Sequence, residues 1–317
     1  MALEIIKPGI LTTVRDLGRF GFRSYGVNPT GVMDSFAARV ANLLVGNDER
    51  AALLEAHFPA PEIRFRSNTI LTVTGADFLP RLDGVPIGTW KTCIVEAGCI
   101  LSFKEKRAGA RCYIAVSGGL NVPEWLASRS TNLAAAAGGF RGRKLAAGDI
   151  IETSGREPGS FTPIAAARSM IPKYHDFPTV RITAGPEFER LDDRGKQALT
   201  DSTFIVSQRS DLMGFRLEGA ILGLTGNSQF LSSATTAGTI QLPFSGEPVL
   251  LMSDHQTTGG YPRVGHVVTA DIPLAGQLGP ADRIAFHLVD IAEAHRLLFA
   301  LEHDIAILKA ACRLHYR

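Results

Sequence analysis

The feature that most limits how this chain can fold is a succession of short β-type runs, each closed by turn residues. They read ILTTV, EIRF, ILTVTGA, CILSF, RCYIAVSG, DIIET, TVRITA, TFIVS, GTIQL, PVLLM, HVVTA and RIAFHLV. All are short and rich in Ile, Val, Thr and Phe, the pattern of β-sandwiches and closed barrels. The 32 glycines and 17 prolines are spread along the whole length and supply the turns. Long helices do not alternate regularly with these runs, which argues against a doubly wound parallel sheet. The chain reads as mainly β.

Few helices are expected. DSFAARVANLLVG has Asp34 as N-cap, a stripe of Ala37, Val40, Ala41 and Leu44, and Gly46 at the C′ position. EFERLDDRGKQALT is more polar, with a break expected at Gly195. The last, IAEAHRLLFALEHDIAILKAACRL, is long and amphipathic, with Ala294, Leu297, Leu298, Leu301, Ile305 and Leu308 at helical spacing. Its His295 and His303 read as partly exposed helix histidines.

A length of 317 residues suggests two domains. EAGCILSF, LAAGDIIET and LGPADRIAF repeat one device, a Gly- or Pro-bearing turn followed by an apolar strand. This echo points to two related β units, over residues 1–160 and 179–290, with a C-terminal helix over 291–317. The stretch 161–178, with Pro163, Pro172 and Pro178, reads as the connector.

Composition narrows the function classes. Apolar residues make up 45% and charged residues 20%, so a packed core is expected. The net charge of +2, from 33 bases and 31 acids, forms no basic stripe that would favour nucleic acid. MALEIIKPG lacks the apolar core of a signal peptide, and no run reaches the roughly 20 apolar residues of a membrane helix. A cytoplasmic protein with no membrane or nucleic-acid partner is expected. Cys93, Cys99, Cys112 and Cys312 form no C-x-x-C pair, and no H-E-x-x-H occurs, so no metal site is expected. G-x-x-x-x-G-K-[ST] and G-x-G-x-x-G are also missing, which disfavours the ordinary nucleotide folds. AVSGG around Ser117 lacks the first glycine of a nucleophile elbow.

Three polar loops remain as candidates. GVNPTGVMD leads into the first helix, where free amides can receive an anion beside Asp34, or simply start the helix. SRSTN places Arg129, Ser130 and Thr131 ahead of Arg141 and Arg143. These guanidinium forks can grip a carboxylate or remain solvated loop charges. DHQTTGGYPRVG lies between two apolar strands and is longer and chemically richer than a connection needs. Asp254, His255, Gln256, Thr257 and Thr258 offer donors, acceptors and one group that titrates near neutrality. Gly259 and Gly260 allow close backbone approach, and Tyr261-Pro262 makes a semi-rigid platform. Gln241 and Asp271, on strands nearby in sequence, are expected to point into the same cavity. Asp254, His255, Gln256 and Asp271 are the expected catalytic groups, and the others are expected to bind substrate.

VRDLGRFG, GVNPTGVMDSFAARVANLLVGN, SRSTN, SDLMGFRLEG, GTIQLPFSGEPVLLMSDHQTTGGYP and ADIPLAGQLGPADRIAF together resemble the motifs of the biotin-dependent carboxyltransferase family. That family is also called allophanate hydrolase subunit 2 and includes the subunit-C protein of the bacterial ATP-dependent 5-oxoprolinase. The resemblance covers essentially the full chain. It implies two cyclophilin-like β-barrel units and a small-molecule substrate. It also implies a partner of the subunit-B type, with a subunit-A protein in the 5-oxoprolinase complex. The activity implied first is ATP-driven opening of the lactam of 5-oxoproline to glutamate. The second is carboxyl transfer from biotin carried elsewhere to urea or a similar amide. A third, from another class, is a regulator that antagonises a kinase inhibitor. The sequence departs from the family pattern at Arg15, Leu212 and His255, and LGPAD replaces a proline-glycine-acid turn. Leu212 removes a charge, and His255 is expected to make the loop's charge pH-dependent.

Overall fold

The computed structural model describes residues 1–155, 162–226 and 230–316. It is mostly β and divides into two compact units. One comprises Met1–Arg19, Thr30–Lys173 and His303–Arg317, and the other Phe20–Pro29 and Tyr174–Glu302. The division differs from the sequence expectation. The segment Phe20–Pro29 belongs with the second unit, and the C-terminal helix is shared instead of standing apart. Residues 156–160, at the expected end of the first unit, and Phe161, at the start of the connector, lie outside the described residues.

The first unit is built from two antiparallel sheets. One has six strands, in the order Ile150–Glu152, Ala2–Lys7, Glu62–Phe65, Ile100–Phe103, Pro80–Leu82 and Val85–Pro86. The other has five, in the order Thr12–Arg15, Leu53–His57, Ala108–Val116, Thr69–Asp77 and Thr92–Val95. Side chains alternate across a strand. Ile5, Ile63, Phe65, Leu101 and Ile151 of the first sheet therefore meet Val14, Leu54, Ala56, Val73, Cys112 and Ile114 of the second in one core.

The reverse face of the five-stranded sheet carries the helix Ser35–Leu44. Asp34 caps this helix by accepting a hydrogen bond from the Ala37 amide at 2.8 Å, and Gly46 follows it at φ +76°, as expected. Thr74 Oγ1 donates to the Ala37 carbonyl and ties the helix to the sheet.

The second unit is a closed barrel of seven strands. Their order is Thr179–Ala184, Arg263–Val267, Thr239–Gln241, Val249–Leu251, Gly214–Glu218, Thr203–Val206 and Arg283–Leu288. Thr179–Ala184 and Arg283–Leu288 close it as a parallel pair, and the other pairings are antiparallel. Closure leaves no unpaired sheet edge. Phe204 and Val206 point inward while Thr203 and Ile205 point out, and Phe204 packs against Phe286 with ring centroids 5.7 Å apart. The helix Asp193–Asp201 passes through Gly195 instead of breaking there. Gly195 donates its amide to the capping Asp192 side chain, and a Cβ at this position would sit 2.8 Å from the Gly223 carbonyl oxygen.

The three echoing turns share one construction. The amides of Cys99, Asp149 and Asp282 donate to the carbonyls three residues earlier, at Glu96, Ala146 and Gly279. The residue before each takes a left-handed conformation: Gly98 (φ +95°), Gly148 (φ +84°) and Ala281 (φ +72°). No helix among the described residues is long and apolar enough to cross a membrane.

Candidate functional site

The loop between the barrel strands Val249–Leu251 and Arg263–Val267 is held from several sides. The Met252 and Asp254 amides donate to the Met213 and Leu212 carbonyls, and the His255 amide turns back to Met252. Asn28 Nδ2 donates to the Asp254 carbonyl at 2.8 Å. Further on, Thr258–Gly259 pairs with Ser233–Ala234 as a short antiparallel ribbon. Arg263 steadies its base through a two-pronged ion pair with Glu187 and a hydrogen bond to the Ala234 carbonyl. A loop pinned this way is preorganised, which a binding site requires.

His255 is 2% exposed, and its Nδ1 lies 2.6 Å from the Gln256 carbonyl oxygen. A carbonyl only accepts, so Nδ1 carries the proton and Nε2 keeps its lone pair in the neutral ring. Burial is the largest influence and holds the imidazole pKa below its usual value. The Gln256 carbonyl acts upward, the nearby Arg23 charge downward and Asp254 upward. The loop's imidazole is therefore biased toward its neutral form, and its charge appears only at a pH below the usual imidazole range.

Beside it, Gln256 Nε2 donates to Gln241 Oε1 at 3.0 Å. Gln241 is 2% exposed on the strand Thr239–Gln241, and its own Nε2 is buried without a partner. A second buried donor in the same unit, Arg23 Nη2, is also unpartnered. Leaving such groups unsatisfied costs about 1–3 kcal/mol each, and such defects collect where a ligand is received. Gly259 is required here, because a Cβ on it would lie 2.4 Å from Gln241 Nε2. Gly260 has no comparably close neighbour. Thr235 Oγ1 donates to the Gln256 carbonyl, and its amide to that of Thr257. Thr258 and Tyr261 are exposed, Tyr261 resting edge-on against Phe244.

The other expected site residues are not part of this cluster. Asp271 is not on a strand. It sits in the one-turn helix Thr269–Asp271, where both its oxygens are taken by the Arg181 guanidinium and backbone amide. Such a saturated carboxylate locks structure instead of moving protons.

Asp34, Arg129, Ser130 and Thr131 belong to the first unit. Asp34 is the helix cap. Ser130 Oγ accepts from the Asp16 amide, and Thr131 Oγ1 donates to the Val14 carbonyl. Arg129 pairs with Glu124 and donates to the Val122 carbonyl, while its amide donates to Asp16. SRSTN is thus a loop wrapped around the Asp16 carboxylate, which also accepts from Ser128 Oγ and the Gly18 amide. Arg143 forms a two-pronged pair with Asp149. These groups are consumed by the fold, which corrects the carboxylate-grip expectation.

Arg23 was missed from sequence because a lone Arg in RFGFRSYG carries no spacing signal. The cluster Glu55, Arg111, Tyr113 and His57 in the first unit was missed as well. Two concavities of about 450 and 480 Å³ both lie in the first unit beside Asn47 and Asp48, and neither includes a residue of the loop. Buried donors without partners occur in the first unit as well, at Arg81 Nε for example; what singles out the loop is that Gln241 Nε2 lies against a preorganised segment rich in donors and acceptors. No group of three or more His, Cys, Asp or Glu among the described residues is placed to hold a metal.

Residues 25–288 match the family described as the carboxyltransferase domain, subdomain A and B. The chain belongs to this carboxyltransferase-domain family. Within the family it is 36% identical to the 5-oxoprolinase subunit-C protein of Escherichia coli K12, over 92% of this chain and 93% of that protein. It is 32% identical to the 5-oxoprolinase subunit-C protein of Haemophilus influenzae, over 93% of this chain and 94% of that one. Among solved structures it is similar to the urea carboxylase of Kluyveromyces lactis, with a TM-score of 0.91 and 29% identity. That match covers 97% of this chain but only 29% of the longer enzyme. The family match takes in the barrel, the DHQTTGGYP loop and Arg23's neighbours from residue 25 onward. It stops short of the C-terminal helix.

Proposed function

We propose that this chain is a subunit of an ATP-dependent 5-oxoprolinase complex, which hydrolyses the lactam of 5-oxoproline to glutamate. The observation that carries this reading is end-to-end similarity to two proteins named as the subunit-C component of 5-oxoprolinase, over more than nine-tenths of both lengths. Partners of the subunit-B and subunit-A type and a cytoplasmic location are parts of the same proposal.

Lactam opening needs a donor for the oxygen that gains charge, a base for the attacking water and an anchor for the carboxylate. Gln241 Nε2 is a buried, unpartnered donor, suited to a carbonyl oxygen whose charge grows in the transition state. Neutral His255, with Nδ1 already donated, offers Nε2 to accept a proton from water, and Asp254 beside it stabilises the imidazolium that forms. Arg23 supplies the cation for the carboxylate, using the Nη2 that lacks a partner. Gln256 orients Gln241. ATP is the co-substrate of the complex and supplies the activation of the amide oxygen, and the sequence has no phosphate-binding loop of the G-x-x-x-x-G-K-[ST] type.

A second reading is favoured by the TM-score of 0.91 to urea carboxylase: carboxyl transfer from biotin to urea or a similar amide. This sequence has no A-M-K-M-like biotinylation site, so in that reading the biotin is carried on another domain or protein.

Co-expression with its neighbouring subunits, followed by ATP-dependent glutamate release from 5-oxoproline, tests the first reading. Activity on urea plus carboxybiotin, with none on 5-oxoproline, favours the second. Asp254→Ala and Gln256→Ala should each lower turnover by about 100-fold or more while the melting temperature moves only a few degrees. Full activity in both variants would make the loop structural.

A further inference from the structure

The C-terminal helix Ile291–His315 runs about 37 Å at 1.5 Å per residue. It buries only Ile305, Leu308 and Cys312, which form one stripe. The opposite side is apolar as well. Phe299, His303, Ile307, Ala310 and Leu314 succeed one another at spacings of four, four, three and four, and so share a face. Phe299, Ile307 and Leu314 on it are 72%, 55% and 70% exposed. A helix that is apolar on both sides is built to be covered on both. Between Phe299 and Leu314 this face carries no Asp, Glu, Lys or Arg, and Lys309 on its edge is paired with Glu49. Glu302, Lys309 and Arg313 lie along one edge, with the acid toward the N-terminus and the bases toward the C-terminus.

We propose that this outer stripe is covered by the same stripe of a second copy of the chain, packed antiparallel across a two-fold axis near Ile307. A two-fold interface must be self-complementary, and this face is. With Ile307 opposite Ile307, Phe299 of one copy meets Leu314 of the other, and His303 meets Ala310. The same register brings Glu302 beside Arg313 on the flank. A parallel pair would instead set this edge against the opposite edge of the partner, so that Glu302 and Arg313 would not meet. Exposed Ala306 and Ala310 leave room for close helix approach. The helix lies beyond residue 288, where the family match ends. The proposal is independent of the lactam-hydrolysis reading.

Sedimentation velocity on the full-length chain, from nanomolar to high micromolar concentration, should show a monomer–dimer equilibrium. Ile307→Glu should leave the melting temperature unchanged and the protein monomeric. Glu302→Arg and Arg313→Glu should each weaken dimerisation about tenfold, and the double reversal should restore it. Under mild oxidation Ile307→Cys should cross-link to itself and Leu314→Cys should not. A monomer at every concentration, a dimer unaffected by Ile307→Glu, or equal cross-linking of the two cysteine variants would overturn the proposal. So would a monomer that buries the stripe only against a co-expressed partner protein.

Discussion

Both units bury polar side chains beside a β core, but they settle them in opposite ways. On the outer face of the first unit's five-stranded sheet, Arg15, Glu55 and Tyr113 are fully or almost fully buried. Register places Thr13 and Tyr113 directly across from Glu55 on neighbouring strands, and Arg111 across from His57. Glu55 Oε2 accepts from the Met33 amide and from Tyr113 Oη, which in turn accepts from the Asp34 amide. The layer thus serves the backbone groups that lead into the helix Ser35–Leu44, although His57 Nε2 at its edge is itself buried without a hydrogen bond. In the barrel, the Gln241–Gln256–His255 cluster is neutral apart from its neighbours and ends in an unpartnered donor. A polar cluster whose carboxylate is saturated by backbone and hydroxyl donors, as Glu55 is, holds structure. One left open at a single atom is prepared for something that arrives later.

The largest expected effect tests the closed half of this contrast. Glu55→Ala would remove the carboxylate about 4.0 Å from buried Arg15 and strip two donors of their acceptor. Chemical denaturation should show a loss of about 3–5 kcal/mol. The open half predicts the reverse pattern for Gln241→Leu. Turnover should drop about 100-fold or more, while stability changes by about 1 kcal/mol or less, because the lost Nε2 was already unsatisfied and half-buried Gln256, which loses its acceptor, can turn to solvent. If Gln241→Leu unfolds the protein or leaves its rate intact, the contrast fails.

A smaller effect concerns pH. Burial, with help from the Arg111 and Arg15 charges, pushes the His57 pKa down to about 2. An unfolded histidine titrates near 6.5, so below that pH the unfolded chain takes up a proton the fold refuses. The resulting stability is full above about pH 6.5 and declines as pH falls toward 2. His255 and His266, lowered chiefly by burial, act in the same direction. Urea melts across this range should show a shallower acid-side slope for His57→Gln than for the unchanged protein. The smallest effect compares the repeated turns. Gly98 and Gly148 take left-handed conformations freely, whereas Ala281 does so against its Cβ. Ala281→Gly should raise stability by about 1 kcal/mol, read as a higher denaturation midpoint.

Much of the framework was legible in the sequence. The runs EIRF and TVRITA are strands with the expected bounds, and Asp34 and Gly46 bracket the first helix as their chemistry requires. The strand Leu53–His57 was not legible, although it lies inside the five-stranded sheet, because Glu55 and His57 break its apolar run. Their burial depends on the first helix and on cross-strand partners distant in sequence. HVVTA misplaced the next strand, which is Arg263–Val267, and with it Asp271. Among the site residues, the richness of DHQTTGGYP was visible as composition. The pairing of Gln241 with Gln256, fifteen residues apart, was not.

Sequence alone determined that this chain is a mainly β protein with glycine-set turns and one over-decorated loop, since residue type and spacing act locally on the backbone. Tertiary structure decided which polar groups are spent. The same carboxylate chemistry became a helix cap at Asp34, an ion pair at Asp271 and a loop anchor at Asp16, because burial and the nearest donor, not residue identity, set a polar group's role. It also decided that Gln241 Nε2 and Arg23 Nη2 would be buried without partners, and that is a property of packing which no spacing rule contains.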